Sequence, residues 1–157
     1  MLAVNDKVPL FALKNSTDDL VESKKLAGSY WVLYFYPKDD TSGCTLEAQG
    51  FSAQKKEFDA LGVTIIGVSK DSVSSHASFC AKYALDITLV SDPDLVLQKA
   101  CGVWVEKSMY GRTYMGTQRA TFLIDPTGNI VQAWPKVKVK GHVDDVLDTC
   151  RRLINVS

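Results

Sequence analysis

Cys44 is the residue in this sequence whose surroundings best suit it for chemistry. It lies in the stretch YWVLYFYPKDDTSGCTLEAQGF, residues 30–51. A cysteine attacks as a thiolate, so a reactive one needs neighbours that favour the negative charge. Thr41 offers a hydroxyl that can donate to the thiolate or to an oxygen held beside it. The pattern predicts a redox-active cysteine, and the alternative is a small buried cysteine that packs as a hydrophobic side chain.

A strand and a helix are predicted to position Cys44. Residues 30–36 form a continuous apolar run, typical of a strand buried on both faces of a parallel or mixed sheet. Pro37 ends this strand because it lacks a backbone N–H. Three apolar residues share one helical face with Cys44: Ala48, Phe51 and Phe58. A helix should therefore run from near Gly43 to about residue 60, with Cys44 in its first turn, where unpaired N–H groups favour a thiolate.

The stretch YFYPKDDTSGCTLEA resembles the active-site signature of peroxiredoxins of the bacterioferritin-comigratory, or peroxiredoxin Q, subfamily. The general peroxiredoxin pattern Pro-x-x-x-Thr-x-x-Cys is met by Pro37, Thr41 and Cys44. The subfamily usually has a proline where this chain has Ser42, a difference that concerns only the stiffness of the loop. The similarity runs nearly end to end, from DKVPLFAL through RATFLIDPTG to the last helix.

The resemblance implies roles for four residues around a bound peroxide. Cys44 would be the nucleophile, while Thr41 and the backbone N–H groups near Gly43 would donate to the peroxide oxygens. Arg119, in RATFLID, stands at the place of the active-site arginine of peroxiredoxins. Its planar, permanently charged guanidinium suits both thiolate and peroxide oxygens. The alternative for Arg119 is a surface arginine at the start of a strand.

Two further residues take their expected roles from the same resemblance. Glu47 matches a glutamate of the family, and it would either orient Arg119 or be a solvated helix residue. Pro37 is expected to shield the thiolate and shape the pocket.

The resemblance also implies a second redox cysteine. Many family members carry it in the same helix as the first, at the position of Gln49 here, so that version is excluded. Cys80, in FCAKY, matches the other site known in this subfamily and would form an intramolecular disulfide with Cys44 after oxidation. Its alternative is a packed core cysteine, since three apolar residues at helical spacing would share its face: Val73, Ala77 and Ala84. Cys101 and Cys150 occupy apolar helical positions and are expected to be inert.

Composition excludes several classes of function. The chain has 157 residues, 46% of them hydrophobic, and a formal net charge of zero. One domain with a substantial core is expected over residues 1–157. There is no basic excess to bind nucleic acid, no signal peptide at the N-terminus and no run long enough to span a membrane. We expect a monomer in a reducing cytoplasm, without a structural disulfide framework.

No cofactor or metal is expected. The four cysteines contain no C-x-x-C and no zinc-type pair, and neither histidine lies near a pair of cysteines. No metal, flavin or haem is therefore implied.

The remaining patterns predict an α/β, thioredoxin-like fold: a central mixed β-sheet flanked by helices, with an N-terminal hairpin over residues 8–22. Helices are predicted near residues 73–84, 94–101 and 142–154, and strands at 63–69, 87–90, 120–125 and 129–134. Residues 106–116 read as a loop. The segment 136–140, in which lysines alternate with valines, reads as a solvated edge, with a docking surface for a reductant as the alternative.

The leading functional hypothesis is a thiol peroxidase that reduces hydrogen peroxide and organic hydroperoxides and is recycled by thioredoxin or a glutaredoxin-like donor. One alternative is a one-cysteine peroxidase that uses an external thiol. Another is a peroxide-sensing relay protein that passes its oxidised state to a partner. A thioredoxin-type disulfide reductase is disfavoured by the missing C-x-x-C.

Overall fold

The computed structural model describes residues 1–154. Its strands are β1 (Ala12–Lys14), β2 (Leu20–Glu22), β3 (Trp31–Phe35), β4 (Thr64–Ser69), β5 (Thr88–Ser91), β6 (Trp104–Met109), β7 (Arg112–Thr117), β8 (Ala120–Ile124) and β9 (Ile130–Trp134). Its α-helices are α1 (Ser42–Ala53), α2 (Lys55–Ala60), α3 (Val73–Tyr83), α4 (Val96–Cys101) and α5 (His142–Ile154). A short 3-10 helix covers Ser23–Leu26.

Five strands form a mixed sheet in the order β5-β4-β3-β8-β9. The central strand β3 runs parallel to β4 and antiparallel to β8, and β4 and β5 are also parallel. Strands β1 and β2 pair separately as an antiparallel hairpin. The predicted mixed sheet flanked by helices, with an N-terminal hairpin extension, is confirmed.

Strand β3 is buried on both faces, as its apolar run predicts. Because successive side chains of a strand point to opposite faces, Val32, Tyr34 and Tyr36 enter one hydrophobic cluster with Cys44 and Phe51. The alternate residues of β3, which are Trp31, Leu33 and Phe35, enter a second cluster on the other face. Apolar residues of β8 and α4 complete that cluster. The strand that leads to Cys44 is thus held by two cores.

The prediction of one helix over residues 43–60 is wrong at its centre. Gln54 leaves the helical conformation, with φ −98° and ψ 10°, and separates α1 from α2. Gly50 permits close packing of α1 on α5. A Cβ at this position would lie 2.9 Å from Cγ2 of Val143.

The predicted loop over residues 106–116 is a hairpin. Strands β6 and β7 pair antiparallel over six residue pairs, from Trp104–Thr117 to Met109–Arg112. The turn at Tyr110 and Gly111 has positive φ at both residues, the backbone that a tight hairpin requires. Most side chains of this hairpin are exposed, so it lacks the alternation of apolar and polar residues by which a half-buried strand is recognised in a sequence.

The predicted core face of α3 is also wrong. Ala77 and Ala84 are exposed, whereas His76 and Phe79 are buried. A buried histidine occupies the place where the pattern of apolar residues indicated alanine, so the helix is rotated about its axis from the expected orientation. None of the helices within residues 1–154 is both long enough and apolar enough to cross a membrane.

Candidate active site

Cys44 lies in the first turn of α1, immediately beyond the end of β3. The first backbone bond of the helix runs from the Thr45 N–H to the Thr41 carbonyl, at 2.8 Å. The N–H groups of Gly43 and Cys44 precede that bond, so they have no carbonyl four residues back to bind. Cys44 is only 2% exposed. The thiol therefore lies at the positive end of a helix in an environment that excludes most water.

Arg119 contacts the thiol directly. Its Nη2 donates to Cys44 Sγ at 3.3 Å, and its Nη1 donates to Glu47 Oε1 at 2.7 Å. Sheet register explains the meeting: Ala120 is paired with Phe35, so the residue before β8 and the segment after β3 lie at the same end of the sheet. The structure brings Cys44, Arg119 and Glu47 together, and of the two alternatives for Glu47 it shows the contact with Arg119 rather than a solvated side chain.

The guanidinium of Arg119 has little freedom to move. The backbone N–H of Val137 donates to the Arg119 carbonyl at 2.9 Å, which anchors its main chain to the segment after β9. A Cβ at Gly43 would lie 3.3 Å from Arg119 Nη2, so glycine leaves the room that the guanidinium occupies. Segment 136–140 is not a strand, but its lysines are exposed as predicted.

Glu47 is buried, and its pKa is shifted from the ordinary value of a glutamate. Burial raises its pKa to about 7, although the charge and the hydrogen bond of Arg119 act in the opposite direction. Its second oxygen, Oε2, has no hydrogen-bond partner among the described residues. Among the described residues the carboxyl group forms its hydrogen bond with Arg119 alone, and this bond orients the guanidinium.

Thr41 and Pro37 do not contact the thiol through any hydrogen bond within the described residues. The Thr41 hydroxyl donates to the Lys38 carbonyl at 2.8 Å and does not point at Cys44 as the sequence suggested. The reason is local: the loop closes on itself before the helix begins, and the side chain of Thr41 satisfies a carbonyl of that loop. Pro37 is half-buried at the end of β3.

The other three cysteines differ from Cys44 in their surroundings. Cys80 is half-buried in α3, and burial raises its pKa despite a hydrogen bond from Ser16. Cys101 and Cys150 are fully buried, and burial raises the pKa of each to about 12. Neither of these two would form a thiolate at neutral pH, which agrees with the expectation that they are inert.

Comparisons with known proteins identify the family. A model of the AhpC/TSA family matches residues 4–133. The chain belongs to this family. Peroxiredoxin Bcp of Xanthomonas campestris is 54% identical over 121 residues, 77% of this chain and 76% of that protein. A peroxiredoxin Q variant of Xylella fastidiosa has a similar structure, with a TM-score of 0.92, 40% identity and 97% of each chain covered.

A third comparison bears on chemistry. The bacterioferritin comigratory protein of Xanthomonas campestris was solved to give insight into its alkyl peroxide reduction activity. It has a TM-score of 0.89 and 44% identity, covering 95% of this chain and 99% of that one. This chain is a peroxiredoxin of the Bcp and peroxiredoxin Q type, and therefore a thiol peroxidase with a thioredoxin fold.

Two residues of this peroxiredoxin's site are not predictable from the motifs. Lys107 belongs to β6. Burial and the charge of Arg119 lower its pKa, whereas Cys44 acts to raise it. Lys107 therefore lies within electrostatic range of both site residues. His142, the first residue of α5, is buried with Nε2 3.9 Å from Glu47 Oε2 and 2.8 Å from Thr121 Oγ1. Burial lowers the pKa of His142 to about 4, so it is neutral beside Glu47 at neutral pH.

The sequence signals for these two residues are weak. Lys107 lies in the segment that reads as a loop, and His142 stands alone at the start of a helix without a patterned partner. Within residues 1–154 there is no group of three or more histidine, cysteine, aspartate or glutamate side chains that could hold a metal ion.

Proposed function

We propose that this thiol peroxidase reduces hydrogen peroxide and organic hydroperoxides with Cys44 as nucleophile and Cys80 as the resolving thiol. We further propose that thioredoxin or a glutaredoxin-like donor reduces the resulting disulfide. The observation that carries the proposal is the guanidinium of Arg119, which contacts Cys44 Sγ and Glu47 Oε1 at the same time.

In the first step the thiolate of Cys44 attacks the distal oxygen of the peroxide. The S–O bond forms as the O–O bond breaks, and the released alkoxide or hydroxide takes a proton to leave as alcohol or water. Arg119 and the N–H groups of Gly43 and Cys44 are the donors that can follow the charge onto the departing oxygen. Thr41 contributes in this proposal after a turn of its hydroxyl away from the Lys38 carbonyl, and Pro37 limits the access of water.

Organic hydroperoxides fit the surface next to the site. An apolar groove runs beside α1 and the start of α5, and it is lined by Leu46, Val139 and Val143 among others. Cγ2 of Val139 lies 3.9 Å from the position that a Cβ on Gly43 would occupy, so the groove adjoins the peroxide-binding turn. The Xanthomonas campestris relative, with its alkyl peroxide reduction activity, supports the same class of substrate.

In the second step the Cys80 thiol attacks the sulfur of the Cys44 sulfenic acid. The S–S bond forms, the S–O bond breaks, and the hydroxyl leaves with the thiol proton as water. Of the three remaining cysteines Cys80 alone is partly accessible, because Cys101 and Cys150 are buried. An external dithiol then restores both thiols by exchange.

The test is peroxide consumption coupled to a thioredoxin system, in wild type and Cys80→Ser. We expect Cys80→Ser to keep the first turnover and to lose recycling by thioredoxin, and mass spectrometry of oxidised wild type should show one Cys44–Cys80 crosslink. Cys101→Ala is the matched control and should retain recycling. Full recycling of Cys80→Ser would reject the role of Cys80 and leave a one-cysteine enzyme resolved by an external thiol.

We also propose that the chain works as one domain, as a monomer and in the cytoplasm. The expectation of a reducing cytoplasm comes from the N-terminal sequence, which does not read as a signal peptide, and from the lack of an apolar run long enough to span a membrane. Sedimentation at micromolar concentration tests the oligomeric state, and a dimer would contradict this part of the proposal.

A further inference from the structure

The loop between β3 and α1 holds helix α3 at two places, one on each side of Cys80. Asp39 bonds to Ser75 and His76, near the start of α3. The neighbouring Asp40 bonds to residues at the end of the same helix, Lys82 and Tyr83. The segment that presents Cys44 is thereby tied to the helix that carries Cys80.

The first of these attachments is buried. His76 is 0% exposed and Asp39 is 7% exposed. Asp39 Oδ2 lies 2.7 Å from His76 Nδ1 and accepts from the Ser75 hydroxyl at 2.8 Å, while Oδ1 accepts from the Tyr36 hydroxyl at 2.6 Å. The Asp39 N–H donates to Asp71 Oδ2 at 2.9 Å. Every polar group of this network has a partner, so it is a specific and rigid connection.

His76, at the centre of this network, has a polar partner at each of its two ring nitrogens. His76 Nε2 lies 2.9 Å from the carbonyl of Val90, in β5, while Nδ1 faces the carboxylate of Asp39. Since both ring nitrogens lie against oxygens of other segments, the imidazole joins the loop before α1 to β5. Hydrogen bonds of this kind are costly to break when they are buried.

The second attachment is exposed and therefore weaker. Lys82 Nζ lies 2.8 Å from Asp40 Oδ2, and the two side chains are 58% and 41% exposed. Water and salt screen such a pair. It provides an internal reference for the buried attachment, because the same loop holds the same helix in both.

We propose that Asp39 and His76 are positioning residues that control resolution: the pair is a latch that keeps α3 folded against the loop, and its opening sets the rate at which Cys80 reaches oxidised Cys44. This inference rests on the proposed role of Cys80. Cys44 is buried against Arg119 and Cys80 belongs to a separate helix, whereas a disulfide requires Cα atoms about 4.4–6.8 Å apart. In this proposal the first turn of α1 and α3 therefore move relative to each other before the disulfide forms.

The latch explains how the two steps are kept separate. While it is closed, the site around Cys44 is complete and peroxide reduction proceeds. Once the sulfenic acid has formed, opening of the latch allows the loop and α3 to unfold locally and brings the two sulfurs together. A stronger latch lengthens the life of the sulfenic acid, during which a second peroxide can oxidise it to sulfinic acid.

The experiment measures the two steps separately by rapid mixing, in wild type and in His76→Ala, Ser75→Ala, Lys82→Ala and Ser78→Ala. We expect His76→Ala to accelerate disulfide formation about tenfold or more, because it removes both bonds of the imidazole. The second-order rate with peroxide should stay within about threefold. Ser75→Ala should accelerate disulfide formation less, and Lys82→Ala by less than about twofold. Ser78→Ala, exposed on the same helix, is the matched control without effect.

Two additional readouts separate a latch from general loosening of the fold. The ring N–H protons of His76 should give slowly exchanging downfield proton resonances in reduced protein that disappear on oxidation to the disulfide. His76→Ala should also accumulate less sulfinic acid at high peroxide. If His76→Ala does not fold, Ser75→Ala decides the question, because it removes a single hydrogen bond of the same latch.

The outcomes distinguish this proposal from the one on which it rests. A wild type that forms no Cys44–Cys80 crosslink overturns both. A crosslink that forms in wild type, with unchanged rates in the folded latch variants, overturns the latch and leaves the role of Cys80 standing.

Discussion

Cys44 and Cys80 are the same chemical group in two environments, and the contrast between them concerns what would suit a thiol for attack on a peroxide. Cys44 is almost completely buried, yet it lies at a helix start with a guanidinium 3.3 Å from its sulfur. Cys80 is more accessible, but it lies near the end of a helix, and burial raises its pKa. Within residues 1–154 no cation is in hydrogen-bond contact with its sulfur. Accessibility is therefore not what distinguishes the attacking thiol.

The difference lies in preorganised positive charge. A thiolate in a poorly solvated site must be stabilised by fixed donors, and such donors also serve the transition state as charge moves onto the departing oxygen. In the proposed mechanism Cys80 needs no such donors, because its attack on the sulfenic acid would follow local opening of the fold. The following changes would break or sharpen this comparison, from the largest expected effect to the smallest.

Removing the nucleophile should have the largest effect. Cys44→Ser leaves Cys80 in place, but a serine hydroxyl in this site is not a thiolate and Cys80 lacks the guanidinium. We expect peroxide consumption to fall to the level of buffer. The measurement is loss of hydrogen peroxide over time, and turnover by Cys80 in this variant would show that the environment of Cys44 is not what confers reactivity.

Removing the guanidinium should cost about 100-fold in the second-order rate with peroxide, the effect typical of one preorganised donor. Arg119→Met has similar length and no charge, whereas Arg119→Lys keeps the charge but loses the fork that reaches Sγ and Glu47 together. The lysine variant should fall between methionine and wild type. Stopped-flow kinetics give the second-order rate of each variant with peroxide. Equal rates for Arg119→Lys and wild type would show that charge suffices without the bidentate geometry.

The buried groups behind Arg119 should give stability a pH dependence with two opposing parts. The pKa of Glu47 is about 7 in the folded chain against an ordinary value of 4.5, so its contribution to stability is present below about pH 4.5 and is lost as pH rises through 7. The pKa of His142 is about 4 against 6.5, so its contribution is present above about pH 6.5 and is lost as pH falls through 4. Each amounts to at most about 3 kcal/mol.

Single variants should separate these two parts by urea unfolding between pH 4.5 and 7. Glu47→Gln leaves His142, so the free energy of unfolding should rise with pH. His142→Gln leaves Glu47, so in this variant the free energy of unfolding should fall as pH rises. Wild type should lie between the two slopes, and the same slope in both variants would contradict the opposed titrations.

The smallest effect on activity is expected from the two buried cysteines. Cys101→Ala and Cys150→Ala each remove a sulfur that does not reach the site, so the peroxide rate should stay within about twofold of wild type. A loss of unfolding free energy of about 1 kcal/mol is expected from the small cavity each leaves. Peroxide kinetics and urea unfolding on the same samples separate the two quantities, and a large kinetic loss without unfolding would implicate one of these thiols in the reaction.

The sequence by itself determined the features that depend on local patterns. The apolar run of β3, the proline after it and the helical spacing of the apolar residues after Gly43 place a cysteine at a helix start, because strand and helix periodicity are encoded over a few residues. The motif match then named Arg119 and Glu47, although they are far apart in the chain. The closing helix α5 is similarly local, with its apolar and polar faces plainly separated.

Tertiary structure decided what depends on contacts between distant segments. The hydroxyl of Thr41 bonds to its own loop, and α3 turns His76 rather than its alanines toward the interior. His76 is buried because Asp39 and the Val90 carbonyl satisfy its ring nitrogens, and no short-range pattern records that such partners will be present. A buried polar side chain is stable only when its partners arrive from elsewhere in the fold, and that is why the latch is visible in the structure and hidden in the sequence.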